Sequence, residues 1–437
     1  MINSPKGTHD IIFDEARLFE EIEMLCGAFA TCYGFRPLRT PIFESTELFA
    51  RGVGDTTDIV TKEMYTFIDK GKRSMTLRPE GTAGIVRSVI SNKLYATHDL
   101  PLKISYLGPM FRYERPQLGR YRQFNQFGVE AIGVTTPYED VEVIILGYKL
   151  LQAMGFDKLT LKINNLGDNE TREKYRVALK EYFASHLKNM CSDCKNRYET
   201  NPLRILDCKV PSDQEIAKKA PSISEYLSEH AKGHFEKVLE LLKQHEIPFV
   251  IEEQLVRGLD YYSGTIFEYA YESKSGLDYG ALGGGGHYDR LVKELDGPEL
   301  EGVGFALGID RIFNVLKDEQ LIQDNPYKID ISIITSGEKA RDFAFLIANV
   351  FRSGGYRTDI NYEDKSFKRL FKKAAKDNAL VAVILGENEM SKGVVGIKNL
   401  ETEEQIEVPV NEVFMTVDNI FNAQYEKAKS EEETELN

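Results

Sequence analysis

Four closely spaced arginines are the first residues whose type and spacing suggest chemistry. Within eleven residues the chain carries Arg112, Arg115, Arg120 and Arg122. Arginine suits phosphate because its planar guanidinium donates two parallel hydrogen bonds to one group. Two strand-like segments flank a loop with Pro116 and Gly119 at its bend, as in a hairpin. The block therefore predicts a phosphate site, with a surface hairpin held by Arg–Glu contacts as the structural alternative.

The return arm of this hairpin alternates in character. Successive residues of a strand point to opposite sides of its sheet. One side would therefore carry Arg122, Phe124, Gln126, Gly128 and Glu130. A purely structural hairpin does not explain why Gln126 and Glu130 share a face with aromatic neighbours. We therefore predict that this face of the strand forms the floor of a binding site.

Two further blocks place polar groups near turns. In Arg78-Pro79-Glu80-Gly81-Thr82, a carboxylate and a hydroxyl at a strand end could hold a substrate ammonium group. For these five residues alone, a turn followed by a helix cap is the favoured interpretation. In GVGFALGIDRI, Arg311 lies at a predicted strand-to-helix junction, where it could meet a triphosphate or simply begin a helix.

Other nucleotide-binding signatures are missing from the sequence. There is no G-x-x-x-x-G-K-[ST] P-loop, and Gly302, Gly304 and Gly308 have the wrong spacing for a dinucleotide fingerprint. The trio Met390-Ser391-Lys392 resembles the tail of a class I synthetase loop, but its HIGH-type partner is absent. We interpret that trio as a turn.

Three of the five cysteines lie close together in the sequence. Cys191, Cys194 and Cys208 suggest a zinc site, with His186 as a candidate fourth ligand. A C-x-x-C with one further cysteine is an incomplete zinc pattern, so we favour free thiols and predict no metal site. The odd count in a long chain also argues against a disulfide framework.

A sheet is needed to position these groups. Short aromatic or β-branched segments predict the strands of an antiparallel sheet: Met75 to Leu77, Ile104 to Phe111, Gln123 to Ile132, Leu159 to Ile163 and Thr265 to Tyr271. Helical spacing predicts an amphipathic helix from Leu18 to Phe29 and a buried helix from Val141 to Met154. Residues 169–245 are helical and polar, like an insertion between two halves of the sheet domain.

After Asn325-Pro326 the pattern becomes one of alternating strands and helices, which predicts a small α/β domain with a largely parallel sheet. The predicted elements are Ile329 to Thr335, Lys339 to Phe351, Tyr356 to Tyr362, Phe367 to Asp377 and Leu380 to Leu385. The fold class is α/β: an α+β first domain at 1–325 with its insertion at about 169–245, an α/β domain at 326–425, and an acidic tail at 426–437.

Composition limits the class of protein. The hydrophobic fraction of 42% is that of a globular chain. No apolar run approaches the ~20 residues of a membrane span, and the first residues lack a signal-peptide plan, so we expect a soluble cytoplasmic protein.

The net charge of −14 speaks against a nucleic-acid partner, yet phosphate contacts need only a local basic surface. The basic helix from Phe367 to Lys376 is such a surface or merely a solvated face.

Three blocks in order resemble the motifs of class II aminoacyl-tRNA synthetases. The block Thr40 to Glu44 resembles motif 1, which builds the dimer interface in this class. Phe111 to Glu114 resembles the core of motif 2, and Arg311 resembles the arginine of motif 3. Each motif is weakly specific, but the ordered set covers most of the chain.

Two blocks after the insertion resemble the histidine-specific signatures of histidyl-tRNA synthetases. RGLDYY, from Arg257 to Tyr262, resembles the first, and GGGGHYDRL, from Gly283 to Leu291, resembles the second. Members of the family commonly have Arg where His287 stands and Gly where Arg290 stands, so the chain departs from the pattern there. KGTHD near the start and NPLRILDCK in the insertion resemble bacterial members.

The resemblance implies a histidine–tRNA ligase that activates L-histidine with ATP and Mg²⁺ and transfers it to tRNA(His). It assigns Arg112 and Arg257 to the α-phosphate as catalytic residues, and Arg120 and Arg311 to the outer phosphates, with Glu130 also near ATP. The implied histidine-binding residues are Glu80, Gly81, Thr82, Gln126, Glu130, Tyr261, Tyr262 and Tyr288.

It also implies a homodimer and a C-terminal anticodon-binding domain, with Arg115 and Gln117 reaching the tRNA acceptor end. Two alternatives stay open. One is a regulatory paralogue of ATP phosphoribosyltransferase, which lacks that domain and much of the catalytic set. The other is a class II synthetase for proline or threonine. The retained arginines oppose the first, and RGLDYY opposes the second.

Overall fold

The structure is a computed structural model, and two compact units make up the chain. It describes residues 2–54, 57–116, 119–134, 136–277, 279–321, 329–363 and 365–435. The units are Met1–Gln323 and Asp324–Asn437, and each has its own hydrophobic core. Separate cores are expected because a single core stops growing in chains of this length.

The larger unit is a sheet domain with helices on both faces. Its helices are α1 (Asp14–Cys32), α2 (Thr46–Val53), α3 (Thr82–Ser91), α4 (Leu94–Thr97), α5 (Pro137–Ala153), α6 (Asn169–Ala184), α7 (Ser192–Thr200), α8 (Pro211–Ala217), α9 (Glu229–Gln244), α10 (Leu291–Glu294) and α11 (Ile309–Asp318). Its strands are β1 (Arg36–Pro37), β2 (Phe43–Ser45), β3 (Tyr65–Ile68), β4 (Ser74–Leu77), β5 (Leu102–Phe111), β6 (Gln123–Val134), β7 (Leu159–Asn165), β8 (Phe249–Ile251), β9 (Ser263–Tyr271), β10 (Ala281–Tyr288) and β11 (Glu301–Gly308).

Eight of these strands form the main sheet, in the order β1-β5-β6-β11-β10-β9-β7-β8. Its neighbours are antiparallel except for the edge pairs β1–β5 and β7–β8. This confirms the predicted mainly antiparallel sheet. The predicted hairpin is β5–β6, in which Gly108 lies opposite Gln126 and Ile104 opposite Glu130. A small separate sheet has the order β2-β4-β3.

The two sides of β6 serve different parts of the domain. Phe127, Val129 and Ala131 belong to a core that includes residues of α1, α5, α9 and α11. Ile132 belongs to a second core, with residues of α3 and the insertion. Alternation along the strand separates the two sets. Gln126 and Glu130 share the parity of Ile132 and therefore its side of the sheet, as predicted.

The insertion is helical, as its polar texture predicted. It runs from α6 to α9, with 3₁₀ turns at Leu187–Asn189, Pro202–Asp207 and Ile223–Tyr226. Asp168 caps α6 by accepting a 3.0 Å hydrogen bond from the Thr171 amide, and Ser228 caps α9 by accepting one of 3.1 Å from Ala231. The two caps also bond to each other at 2.5 Å, which joins the ends of the insertion.

The smaller unit is an α/β domain with a mixed sheet. Its elements are β12 (Ile331–Thr335), α12 (Glu338–Ser353), β13 (Thr358–Ile360), α13 (Phe367–Lys376), β14 (Val381–Leu385), α14 (Glu387–Lys392), β15 (Val394–Asn399), β16 (Gln405–Pro409) and α15 (Val413–Glu435). The order is β13-β12-β14-β15-β16, of which the first three strands are parallel and the last two antiparallel. The parallel part agrees with the sequence prediction, and the antiparallel edge was not predicted.

One local prediction in this unit is wrong. Met390-Ser391-Lys392 is not a turn but the end of α14. The helix begins at Glu387, where Glu389 reaches back and accepts a 2.8 Å hydrogen bond from the Gly386 amide, which satisfies an otherwise unpaired donor. None of the helices in the described part of the chain has the length and apolar character that crossing a membrane requires.

Candidate active site

A cavity of about 620 Å³ opens on the α3 side of the main sheet. Its wall draws on segments far apart in sequence: the start of α3, the β5–β6 hairpin, the stretch before β9, the glycine-rich β10 and the start of α11. The predicted residues that line it are Glu80, Thr82, Arg112, Arg120, Gln126, Arg257, Tyr261, Tyr262 and Arg311. The sheet thus brings together the blocks that the sequence presented separately.

The hairpin supplies two of the cavity arginines. Arg112 is anchored because its Nε donates a 2.8 Å hydrogen bond to the Pro79 carbonyl, and its guanidinium lies 5.3 Å from the centre of the Phe124 ring. Glu114 lies between the two cations, 3.8 Å from Arg112 Nη1 and 3.6 Å from Arg120 Nη1. One carboxylate shared by two arginines leaves this group of three side chains with a net positive charge.

Arg257 and Arg311 supply the other two cations. Arg257 forms an ion pair with Glu268 and lies 5.7 Å from the Tyr262 ring centre. Burial works against this cation, but the Glu268 carboxylate keeps the pKa of Arg257 above the ordinary arginine value. Arg311 donates to the Ala281 carbonyl, and its burial lowers the pKa of Arg311. In the described part of the chain, the Nε atoms of both arginines are buried without a hydrogen-bond partner.

A buried polar network lies at the inner end of the cavity. Glu130 Oε1 accepts a 2.7 Å hydrogen bond from Thr82 Oγ1, and Oε2 accepts one of 2.9 Å from the Tyr288 hydroxyl. Glu130 is 1% exposed, and burial raises its pKa to about 8 despite these two bonds. A carboxyl group in this state is mostly protonated at pH 7 and loses its proton as the pH rises through about 8.

Glu80 serves both of the interpretations that the sequence left open. It lines the cavity, and its two oxygens accept hydrogen bonds of 2.7 and 2.8 Å from the amides of Thr82 and Ala83 at the start of α3. Burial raises the pKa of Glu80, although these bonds work in the opposite direction. Glu80 therefore caps the start of α3, and it also lines the cavity.

Three aromatic rings pack together beside this network, and two of them, Tyr261 and Tyr262, line the cavity wall. Tyr261 lies 4.6 Å from Tyr262 and 5.7 Å from Tyr288, measured between ring centres. Gln126 lines the same region, and its buried Oε1 has no partner among the described residues. A buried acceptor without a partner is costly, which suits a site that completes its hydrogen bonds when a ligand binds.

Several predicted residues lie outside the cavity wall. Glu130 and Tyr288 lie behind it and reach it through Thr82. Gly81 packs on the Tyr106 ring, where a Cβ would lie 2.2 Å from Cε2, so only glycine fits. Arg115 is exposed on the hairpin and does not line the cavity. Gln117 lies outside the described residues.

The two residues that depart from the second signature, His287 and Arg290, do not line the cavity and contact other side chains. His287 is 6% exposed, and its ring nitrogens lie 3.0 Å from Asp140 Oδ1 and 3.0 Å from Glu301 Oε2. Burial opposes the cation, but Asp140 and Glu301 raise the pKa of His287 to about 10. His287 is therefore a cation at neutral pH, as arginine would be. Arg290 has its Nε 3.6 Å from Asp289.

Sequence reasoning missed some of the residues that build the site. Glu114 and Glu268 partner the arginines, Tyr106 lies under Gly81, and Asp310 accepts a 2.5 Å hydrogen bond from the Asn125 amide. Arg–Glu contacts in the hairpin were offered as the structural alternative, so Glu114 had a suggested role, but nothing in the spacing gave Glu268 its partner. Nothing in the sequence marked Tyr106 as a site residue, because its contacts come from segments that are distant in the chain.

An antiparallel sheet that carries an arginine-lined cavity, joined to a second α/β unit, defines the catalytic architecture of a class II aminoacyl-tRNA synthetase. Residues 7–312 match the family model described as histidyl-tRNA synthetase, and residues 330–420 match the anticodon-binding domain. The chain belongs to the histidyl-tRNA synthetase family.

Known relatives extend over nearly the whole chain. It is 48% identical over 409 residues to a histidine–tRNA ligase of Geobacillus sp., covering 94% of this chain and 97% of that one. It is 46% identical over 410 residues to the histidine–tRNA ligase of Bacillus cytotoxicus, with the same coverages. The crystal structure of apo S. aureus histidyl-tRNA synthetase matches with a TM-score of 0.82 at 38% identity, covering 96% of this chain and 99% of that one.

Proposed function

We propose that this chain is a histidine–tRNA ligase that activates L-histidine with ATP and transfers it to the 3′ end of tRNA(His). The observation that carries the proposal is one cavity in which four arginines meet the tyrosines of the RGLDYY block, in a member of this family. In the first step a histidine carboxylate oxygen bonds to the α-phosphorus as the bond to pyrophosphate breaks. In the second, a terminal hydroxyl of tRNA displaces AMP.

The cavity supports catalysis by charge neutralisation. A carboxylate is already a nucleophile, so the first step needs no general base and depends on positioning and on stabilising phosphate charge. We assign Arg112 and Arg257 to the α-phosphate, and Arg120 and Arg311 to the outer phosphates, with Glu130 beside the nucleotide. The anchors on Pro79 and Glu268 support this assignment, because a guanidinium held in place need not reorganise during the reaction.

Mg²⁺ fits the donor set at this wall. The ion prefers oxygen ligands and is commonly bound by one or two carboxylates together with substrate phosphates. Glu114 and Glu268 provide carboxylates among the arginines. We propose that they hold Mg²⁺, which when bound neutralises negative charge on the outer phosphates of ATP.

The inner end of the cavity supports recognition of histidine. We propose that Glu80, Thr82 and Gln126 bind the α-ammonium group next to Gly81. Glu130 and Tyr262 would address the two imidazole nitrogens, Tyr261 would line the pocket, and Tyr288 would support Glu130 from behind the wall. A pocket of buried polar groups rejects analogues that leave those groups unpaired, by roughly 10⁴-fold or more.

Two surfaces are proposed for tRNA. On the catalytic unit, the exposed Arg115 and its neighbour Gln117 would reach the acceptor end. On the smaller unit, α13 carries four exposed cations without an ion-pair partner among the described residues, namely Lys368, Arg369, Lys372 and Lys376. Unpaired cations on one helix suit a phosphate backbone. For domain boundaries we propose 1–325 and 326–425, followed by a tail at 426–437.

We further propose a homodimer that acts in the cytoplasm. The small β2-β4-β3 sheet, which includes part of the motif 1 block, exposes apolar side chains. Ile42, Phe43, Phe67 and Ile68 are 46%, 52%, 43% and 65% exposed, and the two phenylalanine rings are 6.2 Å apart. An apolar patch on a polar surface is typical of a protein interface, and this one coincides with the motif that forms the interface in class II enzymes.

Charging of tRNA tests the proposed function against the regulatory alternative. The full chain is incubated with ATP, Mg²⁺ and labelled histidine, and in parallel with labelled proline, in each case with a tRNA(His) transcript and with a tRNA(Pro) transcript as the matched control. We expect label on tRNA(His) alone. Binding of histidine without any charged tRNA would instead support the regulatory paralogue, and charging of the control with proline would support the other synthetase alternative.

A further inference from the structure

A compact cluster of three thiols and a carboxylate lies inside the insertion, outside the cavity described above. The side chains of Cys191, Cys194, Cys208 and Asp213 place one ligand atom each within 4.8 Å of one another. The sequence offered His186 as the fourth group. The structure instead places the His186 ring beside Tyr182, 5.1 Å between centres, and puts Asp213 of α8 next to the cysteines.

Two of the distances between these atoms match the ligand spacing of a tetrahedral zinc site. Cys191 Sγ lies 3.9 Å from Cys208 Sγ, and Cys208 Sγ lies 3.7 Å from Asp213 Oδ2. Four ligands at about 2.3 Å from a zinc ion are about 3.8 Å apart. A disulfide would need a sulfur–sulfur distance of about 2.05 Å. Cys191 and Cys208 are therefore spaced like two ligands of one ion and not like a disulfide.

Three backbone amides donate hydrogen bonds to ligand atoms of the cluster. The Cys194 amide donates to Cys191 Sγ at 3.4 Å, and the Val210 amide donates to Cys208 Sγ at 3.4 Å. The Cys191 amide donates a 3.0 Å hydrogen bond to Asp213 Oδ2, which fixes that carboxylate against the thiols. In metal sites, hydrogen bonds to the ligands hold them in the orientation that the ion requires.

Burial adds a second, independent observation. Cys194, Cys208 and Asp213 are 0%, 4% and 0% exposed. Among the described residues, no lysine, arginine or histidine forms an ion pair with Asp213. A buried carboxylate is unfavourable unless a cation or several hydrogen bonds compensate it. Asp213 accepts hydrogen bonds from the Cys191 amide at 3.0 Å and from the Ser212 hydroxyl at 3.2 Å, and a cation among the three thiols would add to this compensation.

We propose that Cys191, Cys194, Cys208 and Asp213 bind one structural Zn²⁺. Thiolates select soft or borderline metals, and four protein ligands leave no open coordination position for catalysis. The ion would join the start of α7, the end of the Pro202–Asp207 turn and α8. This segment borders the active site, because Lys209 lines the cavity and Arg197 forms a 2.9 Å ion pair with Asp58, next to Ile59 of its wall.

Metal content of the full-length protein tests the proposal directly. The protein is purified from zinc-supplied cells, passed over a chelating resin, and analysed by mass spectrometry for metals. We expect about one zinc per chain, lost in Cys191→Ser and in Asp213→Ala. Cys32→Ser is the matched control, since this exposed cysteine lies outside the cluster, and it should retain the ion.

A measurement on the unmodified chain guards against variants that fail to fold. Titration with an organomercurial should release the zinc as the cluster thiols react, and Co²⁺ added to the stripped protein should show thiolate-to-metal charge-transfer and tetrahedral d–d bands. Metal-free protein with freely titrating thiols, a Cys191–Cys208 disulfide, or zinc retained equally by Cys191→Ser would each overturn the proposal.

Discussion

Thr82 Oγ1 donates a 2.7 Å hydrogen bond to Glu130 Oε1, and this contact links the first turn of α3 to the centre of the main sheet. Tyr288 completes the link by donating to the other oxygen from β10. Glu130 lies 48 residues from Thr82 and 158 from Tyr288 along the chain. The proposed histidine pocket is thus a product of the assembled sheet, with a buried carboxyl group at its centre.

Glu130→Gln should change how stability depends on pH. Burial raises the pKa of Glu130 from 4.5 to about 8, so between these values the folded state holds a proton that the unfolded chain has lost. This contribution to stability is fully present below pH 4.5 and is lost as pH rises through about 8. Removing it should flatten the fall in unfolding free energy between pH 5 and 8 by up to about 1.4 kcal/mol per pH unit.

Urea unfolding across this pH range measures the effect. The matched control is Glu253→Gln, which removes an exposed carboxylate and should leave the pH dependence of the parent chain. If the dependence of unfolding free energy on pH is the same in Glu130→Gln as in the parent chain, Glu130 does not hold a proton in the folded state, which would contradict the account.

Arg257→Ala should separate chemistry from binding. Its guanidinium is proposed to stabilise charge at the α-phosphate, so adenylate formation should slow by about 10²–10³-fold. Histidine affinity should change only a few-fold, because the ammonium and imidazole partners are other residues. Single-turnover kinetics and equilibrium titration with histidine measure the two quantities.

The control for that substitution is Arg73→Ala. Its side chain is 78% exposed and pairs with Asp69 away from the cavity, so both quantities should stay at the parent values. Equal losses of rate and of histidine affinity in Arg257→Ala would refute the role on the phosphate.

His287→Leu should destabilise the catalytic unit. The substitution removes the cation between Asp140 and Glu301 and leaves the fully buried Asp140 with His234 alone, 2.8 Å away. Breaking a buried pair in this way costs about 3 kcal/mol of unfolding free energy. His287→Arg keeps a cation and should recover most of the loss. Equal stability of the two variants in urea unfolding at pH 7 would argue against a structural cation here.

Neutralising α13 should weaken tRNA use without affecting activation. In Lys368→Ala/Arg369→Ala/Lys372→Ala we expect the KM for tRNA(His) to rise about tenfold and its salt dependence to become shallower, because phosphate contacts are lost. Histidine-dependent pyrophosphate exchange should be unchanged. Lys373 is left in place because it already pairs with Asp359 and Asp377.

A triple control carries the same change of charge elsewhere. Lys158→Ala/Lys232→Ala/Lys243→Ala removes three exposed lysines from the catalytic unit. This variant should keep the parent KM for tRNA. If both triple variants lose tRNA affinity equally, the effect is one of net charge, and α13 has no special role.

Much of the fold was predictable because its signals are local. The hairpin arms were predicted at Ile104–Phe111 and Gln123–Ile132 and are observed at Leu102–Phe111 and Gln123–Val134. The side-to-side alternation of β6 follows from strand geometry and placed Gln126 on the cavity side. The insertion was equally accessible, since its polar helical texture needs no knowledge of its partners.

The remainder depended on contacts between distant segments. For Glu80 the five residues favoured a helix cap over a pocket, and the residue both caps α3 and lines the cavity. Nothing in the cysteine spacing pointed to Asp213, because this residue lies in α8 and reaches the cysteines only in the folded chain. Ion-pair partners such as Glu268 for Arg257 are fixed by the packing of loops on the sheet, which sequence spacing does not encode.

The central claim is that this cavity activates histidine. ATP–pyrophosphate exchange, run with the full chain and each of the twenty amino acids in turn, tests it most directly. We predict exchange that depends on histidine and is absent with the others, including proline and threonine. An absence of exchange with histidine, or equal exchange with another amino acid, would contradict the account.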